Sequence, residues 1–254
     1  MIPIRDHNPT SRPAILVPAL IAINVIVFFF WQPTLDGNDI EQTIFFVCNA
    51  AIPYEVMNGE HILDGVADGD LRGQDARLFA EVQLRRCQDK NVWASIFRSM
   101  FFHGGFLHIA GNMLFLWVFG NNIEDRLGRI KFLLLYVLAG IAATYAQSVI
   151  APTSVIPMIG ASGAVAGVLG AYLLLFPRAR VTTLVIFFFI TAIELPAVVV
   201  LGLWFLLQVF QQAGSVSGAA SGVAYMAHIG GFIAGMLLLL LFRPRRAPPR
   251  AAVF

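Results

Sequence analysis

Apolar residues run in long blocks separated by short polar breaks, rather than alternating or marking one face of a helix. A transmembrane helix needs about 20 mostly apolar residues, and the blocks predict six spans, near 14–31, 102–120, 131–150, 162–176, 195–212 and 224–242. The run from Val181 to Phe210 exceeds one span and is interrupted at Glu194 and Pro196. Proline suits a first helical turn and an acid suits a helix N-terminus, so the fifth helix is placed to start there. Val181 to Ala192 is left as an interfacial or re-entrant connection.

The pattern thus predicts an all-α polytopic membrane protein. It has a polar start at 1–13, a first helix at 14–31, a long insertion at 32–101, a core of five further helices within 102–242 and a basic tail at 243–254. Composition agrees: of 254 residues 58% are hydrophobic and 13% charged, and the mean hydropathy is +0.75. A soluble domain of this length is far more polar, so lipid is the expected solvent.

Charge then orients the spans. Arg5 and Arg12 precede the first, Arg126, Arg129 and Lys131 link the second and third, Arg178 and Arg180 follow the fourth, and Arg243, Arg245, Arg246 and Arg250 follow the sixth. Short cytoplasmic loops carry the excess of Lys and Arg, so alternating spans put all four groups, and both termini, in the cytoplasm. The formal net charge of +2 then calls for no nucleic-acid partner. The stretch Ile21 to Gln32 has no small-residue cleavage site and is taken as an uncleaved helix.

The insertion falls outside the cytoplasm in this topology and holds most of the acids, including Asp36, Asp64, Asp68, Asp70 and Asp75. Its end, from Gln74 to Met100, reads as amphipathic, with Leu78, Val82, Leu84, Trp93, Ile96 and Phe97 available to core or membrane. Both cysteines, Cys48 and Cys87, lie in it. An oxidising compartment permits their disulfide, and two separate thiols are the alternative.

Ionisable residues in a membrane span are costly and point to function. His108 and Asn112 stand four apart near the start of the second span, so they share a helix face. Ser162 opens the fourth span in Gly160-Ala161-Ser162-Gly163, and His228 opens the sixth in Ala227-His228-Ile229-Gly230-Gly231. In the derived topology all three helices begin outside, which puts the four residues in one layer. Gly163 and Gly167, with Gly231 and Gly235, are spaced to let two helices approach closely, bringing Ser162 toward His228. A serine hydroxyl needs such a base to become nucleophilic. His103, five residues before His108, is read as structural. Glu124 and Arg126 are read as loop residues that cap or clamp helices, and Glu194 as a helix-start acid.

Met100 to Gly128, Gly160-Ala161-Ser162-Gly163 and Ala227 to Gly235 together resemble the rhomboid intramembrane serine proteases. The start Met1-Ile2-Pro3-Ile4-Arg5-Asp6, with Asn8-Pro9, is similar to bacterial members. The resemblance implies a six-transmembrane-helix rhomboid-like bundle around a cavity that opens outward. Ser162 would be the nucleophile and His228 the base, with His108, Asn112 and the Ser162 backbone N–H as the oxyanion hole. The insertion would be the family's first loop and the fifth helix its lateral gate. Substrates would be single-pass membrane proteins, met in a bacterial inner membrane, with no cofactor and no stated oligomer. In one respect the chain departs: many members carry an aromatic residue four positions after the serine, packed on the histidine, and here stands Ala166.

Other classes fit less well. The His-Glu-x-x-His zinc signature is absent, and the Gly69-Asp70 pair lies in the polar insertion, away from an aspartyl-protease position. A metal held by His103, His108 and His228 would lack carboxylate or thiolate help. A transporter would show paired broken-helix repeats. The remaining rival is a non-catalytic rhomboid-like binder or chaperone of membrane helices, which would lose the dyad.

Overall fold

The computed structural model describes residues 1–33, 39–186, 190–216 and 223–244. Asp36 of the insertion and Arg245, Arg246 and Arg250 of the basic tail lie outside the described residues. The chain is mostly helical, and its elements follow the apolar blocks closely. Strand β1 is Ile2–Asp6 and α1 is Leu16–Phe30; five short helices follow, α2 Asp39–Asn49, α3 Pro53–Asn58, α4 Ile62–Ala67, α5 Gln74–Arg86 and α6 Val92–Ser99. Then come α7 Phe106–Leu127, α8 Arg129–Ile150, α9 Ser162–Leu175, strands β2 Arg180–Ile186 and β3 Ile190–Pro196, α10 Ala197–Val216 and α11 Tyr225–Phe242.

Length and composition make α8, residues 197–214 of α10, and α11 long and apolar enough to cross a membrane, while α1 and α9 are apolar but shorter. Helix α7 has the length, at 22 residues, but carries His108 and Asn112 at its start and Glu124, Asp125 and Arg126 at its end. The protein is therefore a helical membrane protein.

Four expectations need correction. The chain is not all-α: β1, β2 and β3 form an antiparallel sheet in that order. Residues 181–186 and 190–192 belong to the paired strands β2 and β3, because Val181, Thr182, Thr183, Val185 and Ile186 are β-branched and pair with strand partners from Ile190 to Leu195. Glu194 sits in β3 rather than at a helix start, with its carboxylate 3.8 Å from Arg180 and 3.7 Å from His7. Finally, α7 runs seven residues past the expected end, so Glu124 and Arg126 are helical. The α7–α8 break falls at Gly128, whose φ of +76° suits glycine.

Helix α9 is the centre of the bundle: every residue from Gly163 to Tyr172 is buried. Its small residues explain why. A Cβ on Gly235 of α11 would fall on the Gly167 carbonyl, one on Gly231 would fall on that of Gly163, and one on Gly170 would meet the Phe232 carbonyl. The two helices thus touch backbone to backbone, as small-residue spacing allows. Phe119, Leu135, Tyr136, Leu169 and Tyr172 fill the core around this seam.

The helices between α1 and α7 enclose their own small core of Ile52, Tyr54, Ile62, Leu71, Ala76 and Ala80. Cys48, in the last turn of α2, and Cys87, at the end of α5, are joined by a disulfide. Beneath it the buried Lys90 ammonium meets the Glu55 carboxylate at 2.6 Å and donates to the Val47 carbonyl at 2.7 Å, while Gln83 donates to the other Glu55 oxygen. From the amphipathic stretch Ile96 faces inward, whereas Leu78, Leu84, Trp93 and Phe97 are exposed.

Candidate active site

Helices α7, α9 and α11 each present a polar residue in an opening turn, and these turns border one cavity of about 1280 Å³. His108, Asn112, Ser162 and His228 all line it. His103 does not: it is fully buried, with its ring 5.1 Å from that of His108 in an edge contact. Its backbone is gripped by Gln32, which accepts from the His103 N–H at 3.0 Å and donates to its carbonyl at 2.6 Å.

The segment before Ser162 is held from below by the short helices. Gly160 donates to the Ser99 carbonyl at 2.9 Å, Met158 to the Ala51 carbonyl at 2.7 Å, and Tyr54 to the Ser154 carbonyl at 3.1 Å. Gly160 has φ of +124°, and a Cβ there would stand 2.8 Å from His108 Nε2 and 3.4 Å from Ser162 Oγ. Glycine is thus required twice, for the backbone angle and to leave the imidazole and the hydroxyl facing the same small space.

Hydrogen bonds decide which ring nitrogens point into the cavity as donors. The Gly104 N–H donates to His108 Nδ1 at 3.3 Å, so a neutral His108 carries its proton on Nε2, the nitrogen beside Ser162. Asn112 spends one amide hydrogen on the His108 carbonyl at 3.1 Å, leaving the second N–H available.

His228 Nδ1 lies 2.7 Å from Gln208 Oε1 of α10. Trp204, one turn earlier on that helix, sets its ring 5.9 Å from the His228 ring at 36°, and Tyr225 flanks it at 6.5 Å. Trp204 therefore brings an aromatic face to the histidine from α10, in place of one at Ala166 on α9. Ser162 Oγ makes no hydrogen bond among the described residues. Catalytic hydrogen bonds are often open before substrate arrives.

Gln208 and Trp204 escaped the reading of the sequence because they sit inside an apolar run with no motif around them. A glutamine in such a run is itself costly in lipid, and that was the available signal. The Gly160 angle carried none beyond the residue itself. No group of three His, Cys, Asp or Glu residues able to hold a metal occurs among the described residues.

The Rhomboid domain model matches residues 90–245, which takes in His108, Asn112, Ser162, Trp204, Gln208 and His228. The chain belongs to the rhomboid family. This rhomboid is 35% identical over 149 residues to Rhomboid protein 1, mitochondrial, of Saccharomyces cerevisiae, a match over 56% of the chain and 40% of that relative. It is 28% identical over 253 residues to RHOMBOID-like protein 5 of Arabidopsis thaliana, covering 96% and 74%. With the rhomboid protease GluP of Bacillus subtilis it shares 41% over 81 residues, or 32% of the chain and 15% of that protein. The rhomboid thus spans well under half the length of the yeast and Bacillus proteins.

Proposed function

We propose that this rhomboid is an intramembrane serine endopeptidase, with Ser162 as nucleophile and His228 as general base. The observation that carries the reading is the shared cavity: a serine, a histidine and two side-chain N–H donors come to it from the opening turns of three helices. Ser162 Oγ attacks a peptide carbonyl as His228 Nε2 takes its proton. The oxyanion that forms is met by His108 Nε2–H, the spare Asn112 N–H and the Ser162 backbone N–H, which heads α9 and has no intrahelical partner. The imidazolium returns the proton to the leaving amine, and water hydrolyses the acyl-enzyme by the reverse path.

Six membrane spans, α1 and α7 to α11, accompany this reading. Helix α9 has 14 residues, roughly 21 Å, against a hydrocarbon core of about 30 Å. A short central helix is workable when the irregular chain before it lines a wet cavity, which residues from Ala151 to Ile159 do. Positive residues gather at the other end of the bundle: Arg126 lies over Phe176, Lys131 donates to the Phe242 carbonyl, and Arg180 meets Glu194. The positive-inside bias favours that end as cytoplasmic, so the cavity faces outward and the segment 32–101 is extracytoplasmic, as in a bacterial inner membrane. Substrates are single-pass membrane proteins whose helix unwinds near the outer face, with α10 as the entry side.

The test is a fluorophosphonate probe together with a model transmembrane substrate. Wild-type protein labels at Ser162 and cleaves, and Ser162→Ala and His228→Ala do neither. A wild type that binds the substrate without labelling or cleaving is the non-catalytic binder, and cleavage by Ser162→Ala overturns the dyad.

A further inference from the structure

Gln208 is the buried polar side chain of a helix whose neighbours Leu206, Leu207, Val209 and Phe210 are 50%, 52%, 40% and 72% exposed. An amide in such a helix is costly unless both its ends are satisfied. Here they are. Nε2 donates to the Trp204 carbonyl at 3.3 Å, and turning the amide over would set its oxygen against that carbonyl. Oε1 is thereby aimed at His228 Nδ1, 2.7 Å away. A carbonyl oxygen only accepts, so Nδ1 must hold the proton of the neutral ring, and the lone pair is left on Nε2.

We propose that Gln208 is a positioning residue: it selects the His228 tautomer whose Nε2 is free to take the Ser162 proton, and with Trp204 it holds the ring's orientation. This is the role the orienting third group plays for a serine–histidine pair on soluble folds, filled by a neutral amide from a separate helix. It takes the place of an aromatic anchor at Ala166. It also ties the base to α10, so the ring is aligned only while that helix is seated against α11. The inference rests on the reading of Ser162 and His228 as a dyad.

The experiment compares Gln208→Leu, Gln208→Met and Gln208→Glu with wild type, reading kcat, KM and the rate of Ser162 labelling by the fluorophosphonate per folded protein. Leucine and methionine keep the bulk and remove the acceptor. They are expected to lower kcat and the labelling rate in parallel by about 10- to 100-fold, the effect of losing about 1.4 to 2.7 kcal/mol of alignment, with KM nearly constant. Glutamate keeps an acceptor and restores most of both rates. If wild type labels and either apolar variant, folded, labels and turns over within about twofold of it, Gln208 has no such role and the dyad stands. If wild type does not label, the dyad itself fails.

Discussion

Glu124, near the end of α7, holds the start of α1: its Oε1 accepts the Leu16 N–H at 3.0 Å. The same carboxylate takes the Ile15 N–H at 2.8 Å and, through Oε2, the Val17 N–H at 2.9 Å. An acid supplied by another helix thus satisfies three of the N–H groups that a helix start leaves open. Replacing Glu124 by alanine is expected to cost about 2 to 3 kcal/mol, since bonds to a charged partner are worth more than neutral ones. Thermal melting in detergent checks this, with Glu124→Gln intermediate between alanine and wild type.

For the two side-chain donors of the proposed oxyanion hole the expected effect is on turnover. Asn112→Ala and His108→Ala should each lower kcat by about 10² to 10³, the usual loss for one donor, while leaving the labelled protein folded. Steady-state kinetics on a reconstituted substrate gives the number. A loss that appears in KM alone would assign these residues to binding instead.

Breaking the Cys48–Cys87 bridge frees a loop with a sequence separation of 39. The chain-entropy relation gives about 4 kcal/mol for such a loop. Cys48→Ser together with Cys87→Ser should therefore lower the unfolding midpoint of the short-helix region, and wild type in reductant should match it. Mass analysis without reductant should find no free thiol.

Lys90 and Glu55 form a pair with both side chains fully buried. Lys90→Ala leaves the Glu55 charge uncompensated and should cost about 3 to 5 kcal/mol, while Lys90→Met with Glu55→Leu recovers most of it. Burial also holds the Lys90 ammonium below the usual lysine range, outweighing the attraction of Glu55. A lysine with a lowered folded pKa binds fewer protons folded than unfolded between the two values, so stability rises with pH through that window. Wild type should gain relative to the double variant as pH climbs from the lowered value toward about 10.4, as followed by chemical denaturation.

The apolar helices were legible because their signal is length: α1 and α8 to α11 fall within a few residues of the apolar blocks. The four polar residues of the site were legible because each stands out in lipid-like surroundings. The sheet was not, since β-branched residues between two apolar stretches look the same in a span as in a hairpin, and what separates them is the partner strand Ile2–Asp6, about 175 residues away in the chain. Gln208 was hidden for a related reason: its meaning depends on His228, a residue on the next helix.

The glycine seam between α9 and α11 has a mechanical consequence. Ser162 and His228 ride on two rods in direct main-chain contact at Gly163, Gly167, Gly231 and Gly235, so no rotamer change in between can alter their offset. Such a joint works as a fixed gauge for the main chain: when a bilayer that thickens, thins or curves bends the outer rods, the offset between the Ser162 and His228 backbones travels with the inner pair, and only the orientation of the imidazole still answers to α10.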